Sequence, residues 1–565
     1  MDQLMNRLKN LVIHPFILGI LVVMLCVSNA TAHCMWEEAL GSLVGVEIFV
    51  LVLFLLGWAV LRDVKKAGMV ASLLLILCFC YRVVMLGFPG LYKSITGSLP
   101  EGWVQLVVFF VPTLLLCYVI VQDKWVIGKK TFQLDQDILC MCLNLVMLTM
   151  LVLNLPPLLS YYAEETKLEK QCVADLQKLG DSTIVKAGPA GKPDVYYILL
   201  DEYANTQCLK NYWGLDNSDF VNYLKSKGFY LVAHSHSSYD NTKFTVCSTL
   251  NMQFNDIIVK DAHAAFPNTK DVSDNTFNRG IEDSTVMQLL RRMGYKWINF
   301  CSGYSAFDWV SKSDVNIRLP LRGYFGGLFN SFVLMLTPWS TLEQYFPVLT
   351  NFYIDLRLLP CEKLPEVVAI HGPKFVTLHT DIAHAPLLID ENGKRGILPV
   401  AIYNAPDTPQ RYFGQIKWAN KQIERWIDII LSAPGPKPII VLQSDHGPDF
   451  PMPNDHLFVN ERLKNFSAIY LPGMHDKGLY DDVTTVNVFR VIFNDYFGSS
   501  LPMLPDKSFR NIGGIEAADF HDVTKELDFV SKLSPADADK HSNAKSQDRD
   551  SQAQDNKALK PEESH

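Results

Sequence analysis

At 565 residues, with 49% hydrophobic content and a net charge of -8, the chain is long enough for several domains and lacks the basic balance of a nucleic-acid-binding protein. Its 12 cysteines form no close-spaced ladder, which argues against a disulfide scaffold. The average composition hides a polarity split: positions 11–160 are mostly apolar, whereas 165–530 read as a soluble domain.

Five apolar runs, about 11–31, 43–61, 68–90, 103–121 and 138–160, each approach the roughly 20 residues needed to span a bilayer. Arg7 and Lys9 precede the first run, Arg62, Lys65 and Lys66 follow the second, and Lys124, Lys129 and Lys130 follow the fourth. The alternate loops carry Glu37 and Glu38, or Lys93 with Glu101. Positively charged loops stay in the cytoplasm, so the amino terminus is expected inside and everything after Ser160 outside. Ala30-Thr31-Ala32 also resembles a signal-peptide cleavage site; removal of the first run would leave four spans and the same outward topology. Arg82, within the third run, reads as a side chain snorkelling to the interface.

Residues 163–192 are charged and then Gly/Pro-bearing, which suits a linker. Val195 to Leu200 follow as a near-continuous apolar run, typical of a parallel strand covered on both faces, and end in Asp201-Glu202. Further strand-like runs at Trp297–Cys301, Phe375–His379, Ile439–Gln443 and Ala468–Leu471 alternate with helical patterns, the clearest at 413–430. The expected class is α/β, with a mainly parallel central sheet flanked by helices behind an about five-helix transmembrane domain. The expected boundaries are 1–162 for the transmembrane domain, 163–192 for the linker, 193–530 for the soluble domain and 531–565 for a disordered polar tail. The apolar stretch 319–360 reads either as a helix packed on the sheet or as a surface helix leaning on the membrane near a lipid substrate. Cys172, Cys208, Cys301 and Cys361 are candidates for pairing, in combinations the spacing does not determine.

In sheets of this kind the ligand site lies beyond the carboxyl ends of the strands. Asp201 stands at one such end and Asp445-His446-Gly447 at another, so two distant strands aim acids at one edge. Between them, Thr242, Thr245, Ser248 and Thr249 open a helical pattern. A helix amino terminus suits a phosphate or sulfate, and a threonine hydroxyl there becomes a useful nucleophile once a metal ion lowers its pKa. His379 reads as a residue facing a strand neighbour, while Glu202 and Lys243 beside the ligand positions read as screening or packing charges.

These residues, in this order behind a membrane anchor, resemble the alkaline phosphatase/sulfatase superfamily, and most of all its membrane-anchored branch of lipoteichoic acid synthases and phosphoethanolamine transferases. The resemblance implies that Asp201, Thr242, Asp445 and His446 hold a divalent metal ion, Zn or Mn, with Thr242 also the nucleophile. It further implies that His384, in His384-Ala385-Pro386, and His456 bind the substrate phosphate or a second metal. The formylglycine sulfatase signature is absent: Thr242-Lys243-Phe244-Thr245-Val246 carries neither its proline nor its arginine. The implied activity is transfer of a phosphoethanolamine or phosphoglycerol headgroup from a membrane phospholipid to an envelope glycan or lipid through a phospho-threonine. The alternative is a hydrolase of phosphate or sulfate esters using the same site, with water as acceptor. The expected location is the cytoplasmic membrane, with the catalytic domain periplasmic or extracellular.

Overall fold

The computed structural model describes residues 11–528, apart from 30–35, 86, 97–100, 123, 128–129, 134, 189–190, 266–273, 309, 311, 320–332, 397–407, 474–477 and 514–517. The expected tail, the Ala30-Thr31-Ala32 site and Phe325 to Phe332 therefore lie outside the described residues.

Among the described residues, each of the five apolar runs lies mostly in helix: His14–Asn29, Trp36–Leu61, Val64–Met85 (followed by short Phe88–Thr96), Gly102–Val121 and the amino-terminal half of Gln136–Ser182. Among the described residues four spans, Ala39–Leu61, Val64–Met85, Gly102–Val121 and Gln136–Ser160, are long and apolar enough to cross a membrane; His14–Ser28 is shorter. At one end of this bundle Lys65 pairs with Asp137 at 2.6 Å, and Asn144 Oδ1 accepts the amide of His14 at 2.9 Å. At the other end the soluble domain docks. Tyr81 and Thr341 hydroxyls lie 2.7 Å apart, Arg82 N donates to Leu336 O at 3.3 Å, and Trp103 N donates to Tyr345 OH at 3.0 Å. Val333 is buried among Leu18, Val46 and Leu75 of the membrane helices. The described part of the apolar stretch thus meets the bundle end, and Tyr345, Phe346 and Val348 stay exposed beside it.

The linker expected over 163–192 is mostly helix. Gln136–Ser182 runs unbroken for 47 residues, and Leu168, Cys172 and Leu176 join the core of the soluble domain with Ile258, Phe277 and Val286. Their spacing of four places them on one face of the helix, and Lys167, Lys170 and Lys178 are exposed on its other side. Cys172, Cys208, Cys301 and Cys361 are all free thiols.

Two short hairpin strands, β1 (Lys124–Ile127) and β2 (Lys130–Gln133), precede the main sheet. Its strands are β3 (Val195–Leu200), β4 (Tyr230–Leu231), β5 (Lys296–Phe300), β6 (Val315–Ile317), β7 (Lys374–Thr380), β8 (Ile439–Gln443) and β9 (Ser467–Tyr470). Their order is β4-β9-β8-β3-β7-β5-β6. Strands β8, β3, β7, β5 and β6 pair in parallel, and only the pairings of β9 with β8 and β4 are antiparallel. The sheet is mixed, with a parallel centre.

All six residues of β3 are buried, and they divide by the two-residue period of a strand. Val195, Tyr197 and Leu199 pack with Phe489 and Ile492 on one face; Tyr196, Ile198 and Leu200 pack with Ile354, Ile423 and Trp426 on the other. Full burial of each such side chain contributes about 1.5–3 kcal/mol. A strand covered on both faces must have its polar residues at its ends, and β3 delivers Asp201 there.

Candidate active site

The parallel register sets the site. Leu199 pairs with Gln443 of β8 and with His379 of β7, so the three strands finish level, with β3 innermost. Asp201 N still donates to Thr380 O at 3.1 Å, extending the ladder to the acid itself. The next residue, Glu202, adopts a left-handed φ of 56°, costly for a side chain with a Cβ, and this turns the chain away while Asp201 points inward.

On the β8 side, Phe466 N donates to Ser444 Oγ at 2.8 Å and Ser444 N to Phe466 O at 2.8 Å, which ties the strand end down. Asp445 Oδ1 then accepts from His446 N at 2.9 Å and Glu202 N at 3.2 Å. A Cβ at Gly447 would lie 2.0 Å from Glu461 O, so that position requires glycine. His446 Nδ1 lies 3.0 Å from Gly447 O and must carry the proton to make that bond. The Nε2 lone pair therefore faces inward, and burial keeps the ring pKa well below its ordinary value, so the ring is neutral.

Thr242 arrives on the helix Thr242–Asn251. Asn241 caps it through Oδ1 to Lys243 N, placing Thr242 first in the helix, not as its cap. Thr242 Oγ1 sits 3.1 Å from His446 Nε2, and Asp445 Oδ2 lies 3.2 Å from the same nitrogen. Donor atoms of Asp201, Asp445 and His446 all fall within 4.8 Å of one another.

This cluster is electrostatically incomplete without a cation. Burial, and after it the neighbouring Asp201, push Asp445 up to about 8. Asp201 goes the other way: burial opposes ionisation, but His384 and His379 outweigh it and hold the carboxyl below the usual range. Asp201 Oδ1 and Asp445 Oδ2 are both buried without a hydrogen-bond donor. Buried carboxylate oxygens with no donor, an inward lone pair and a hydroxyl fit a divalent cation with oxygen and nitrogen ligands.

His379, read from the sequence as a strand residue facing a neighbour, belongs to the site. Its Nε2 lies 3.1 Å from Asp201 Oδ2 and its Nδ1 2.7 Å from Ser302 Oγ, with the ring stacked on Phe307 at 5.0 Å. Asp201, His379 and Asp381 form a second close group of candidate ligand atoms. His384 lies outside both groups, its Nε2 3.7 Å from Glu202 Oε2. Burial would lower its pKa, but Glu202, Asp201 and Asp381 outweigh that and raise it to about 10. Its loop is clamped from the helix Val348–Val368: Arg357 Nε donates to Asp381 O at 2.8 Å and Nη2 to His384 O at 2.9 Å.

His456 is exposed on the helix Asp455–Leu463 and joins neither ligand group among the described residues. Six residues further along, Arg462 reaches the site instead. At about 100° per residue the two positions stand about 120° apart on the helix, so one faces solvent when the other faces in. Arg462 carries no motif signal, since an Arg after a Glu on a mixed helix looks like an ordinary solvated face.

No family model matches the chain, and no curated protein matches it by sequence. Solved structures do resemble it. The C-terminal periplasmic domain of EcEptC from Escherichia coli, in complex with Zn, is similar over 62% of this chain and 98% of its own, at 12% identity and a TM-score of 0.39. The lipoteichoic acid synthase LtaP from Listeria monocytogenes is similar over 57% and 77%, at 15% identity and a TM-score of 0.33. The integral membrane lipooligosaccharide phosphoethanolamine transferase A from Neisseria meningitidis is similar over 82% and 88%, at 10% identity and a TM-score of 0.34.

Proposed function

We propose that the chain is a metal-dependent, membrane-anchored transferase that moves a phospho-headgroup, phosphoethanolamine or phosphoglycerol, from a phospholipid to an envelope glycan or lipid. The observation that carries this reading is the Thr242 hydroxyl, first in its helix and 3.1 Å from the inward lone pair of neutral His446, beside two buried carboxylates. Asp201, Thr242, Asp445 and His446 would hold the cation, Zn or Mn. When bound there, such an ion lowers the pKa of the hydroxyl and polarises a phosphoryl oxygen.

The chain's own groups supply the rest. Asn241 fixes the first turn, so the hydroxyl is oriented before substrate arrives. The oxygen of Thr242 forms a bond to phosphorus as the bond to the diacylglycerol oxygen breaks, and the threonine proton ends on the departing diacylglycerol. The oxygen of an acceptor hydroxyl then bonds to phosphorus as the Thr242 O–P bond breaks, and the acceptor's proton ends on Thr242. His384, cationic through its acidic neighbours, suits the negative charge of the group in transit.

A lipid donor is supported by the link from membrane to site. Arg357, which clamps the His384 loop, lies nine residues beyond exposed Val348, about 14 Å along one helix. The docking contacts fall at the bundle end that the charge pattern assigns to the outside. This supports an amino terminus inside and a catalytic unit, 193–530, outside. Full-length protein with zinc and a phospholipid carrying a labelled headgroup tests the reading: labelled Thr242 and released diacylglycerol are expected. Release of free headgroup phosphate at the same rate with and without acceptor would favour the hydrolase.

A further inference from the structure

We propose that Arg462 is a phosphoryl-binding residue, gripping a non-bridging oxygen of the group carried by Thr242. The inference rests on the function proposed above and adds a residue to it. Arg462 is partly buried, its side chain 12% exposed, and anchored on three sides: Nε donates to Asp240 O at 2.9 Å, and Nη1 donates to Glu202 Oε1 at 2.7 Å and to Gly447 O at 2.8 Å. These anchors fix the guanidinium relative to each arm of the site, because Asp240 leads into the Thr242 helix, Glu202 follows Asp201, and Gly447 follows His446. A planar fork held this way loses little freedom on binding an oxyanion.

What remains is Nη2, 3.3 Å from His446 Nε2. That nitrogen offers one lone pair, which also faces Thr242 Oγ1 at 3.1 Å. A cation held by Asp201, Asp445 and His446 takes that lone pair, so the Nη2 hydrogens lose their acceptor. Glu202 is already committed to Arg462 on the far side and shares itself with His384. The Nη2 hydrogens freed in this way stand beside Thr242 and suit a phosphoryl oxygen of the diester or of the phospho-threonine, bound by charge-assisted hydrogen bonds. The left-handed Glu202 has a reason here: its strained turn is what brings an acid to Arg462 while Asp201 faces the ligands.

The test uses full-length protein in detergent, with orthovanadate as the probe, titrated calorimetrically into zinc-loaded and metal-free samples. Zinc content is measured in parallel. For Arg462→Ala we expect unchanged zinc content and vanadate binding weakened by roughly tenfold or more in both samples. Millimolar guanidinium should restore part of it, and Arg462→Lys should retain an intermediate affinity because it keeps the charge. Parent-like vanadate affinity in Arg462→Ala with full zinc content overturns the proposal. If Arg462→Ala does not fold, Arg462→Lys decides: affinity equal to that of Arg462→Gln would overturn it, since charge would then be irrelevant. A parent protein that binds vanadate through Arg462 yet never labels Thr242 contradicts the transferase reading while leaving this assignment intact.

Discussion

Thr242 Oγ1 and His446 Nε2 lie 3.1 Å apart although 204 residues separate them, and His446 can receive or share a proton only through that nitrogen because its Nδ1 is committed to Gly447 O. The proposed nucleophile and its neutral histidine neighbour are therefore prearranged by the fold and not by substrate. Removing the hydroxyl should abolish chemistry without disturbing the fold. Thr242→Ala is expected to lower turnover of a phosphodiester about 10³-fold or more with an unchanged melting temperature, while Thr242→Ser retains measurable activity. Steady-state kinetics beside thermal denaturation check this; a folded Thr242→Ala enzyme with near-parent turnover would contradict it.

Cation binding should be visible as stability. With Asp445 pushed up by burial and Asp201, the metal-free site strains the fold, and a bound ion relieves it. Zinc or manganese at about 100 times its dissociation constant should stabilise the protein by about 2.7 kcal/mol, and chelation should reverse this. Asp445→Asn should lose most of that metal-dependent shift. Equal melting curves with chelator and with excess metal would argue against the site.

His379 should act through Asp201. Its ring is held between Ser302 Oγ and Asp201 Oδ2, so it sets which way the carboxylate faces. His379→Ala is expected to weaken metal affinity about 10–100-fold, and Ser302→Ala to do so less. Competition against a fluorescent chelator measures both. No change for His379→Ala would assign His379 a packing role only.

Part of this arrangement is legible in the amino-acid order alone. An apolar run that ends in an acid has few physical meanings, so Asp201 and Asp445-His446 stand out as strand ends, and Thr242 precedes a helical pattern. His379 hides because it ends an apolar strand, where a histidine looks like a packing residue; only the level register with β3 reveals its direction. Arg462 hides on an amphipathic helix, and His456 misleads because spacing along the chain does not specify which helix face turns inward. The helix through 163–182 is obscured because its charges outnumber the three core positions that bind it. The two antiparallel pairings of β9 escape notice because apolar runs do not encode direction.

A pH dependence independent of the site follows from His236. The ring is buried, with Nδ1 2.8 Å from Ser508 Oγ. Burial lowers its pKa from 6.5 to about 4, more than Asp506 and Asp482 raise it. The unfolded chain takes up the proton first, so this contribution is complete above about pH 6.5 and is lost as the pH falls toward 4. The loss amounts to about 3 kcal/mol. Denaturant titrations from pH 7 to 4 should show a shallower decline in His236→Gln than in the parent; parallel curves would contradict it.

The most direct test of the central claim is intact-protein and peptide mass spectrometry of the full-length, zinc-loaded protein after incubation with a phospholipid donor and no acceptor. The account predicts a mass increase equal to the phospho-headgroup, localised to Thr242 and absent in Thr242→Ala. Diacylglycerol release at full rate with Thr242 unmodified at every time point would contradict it.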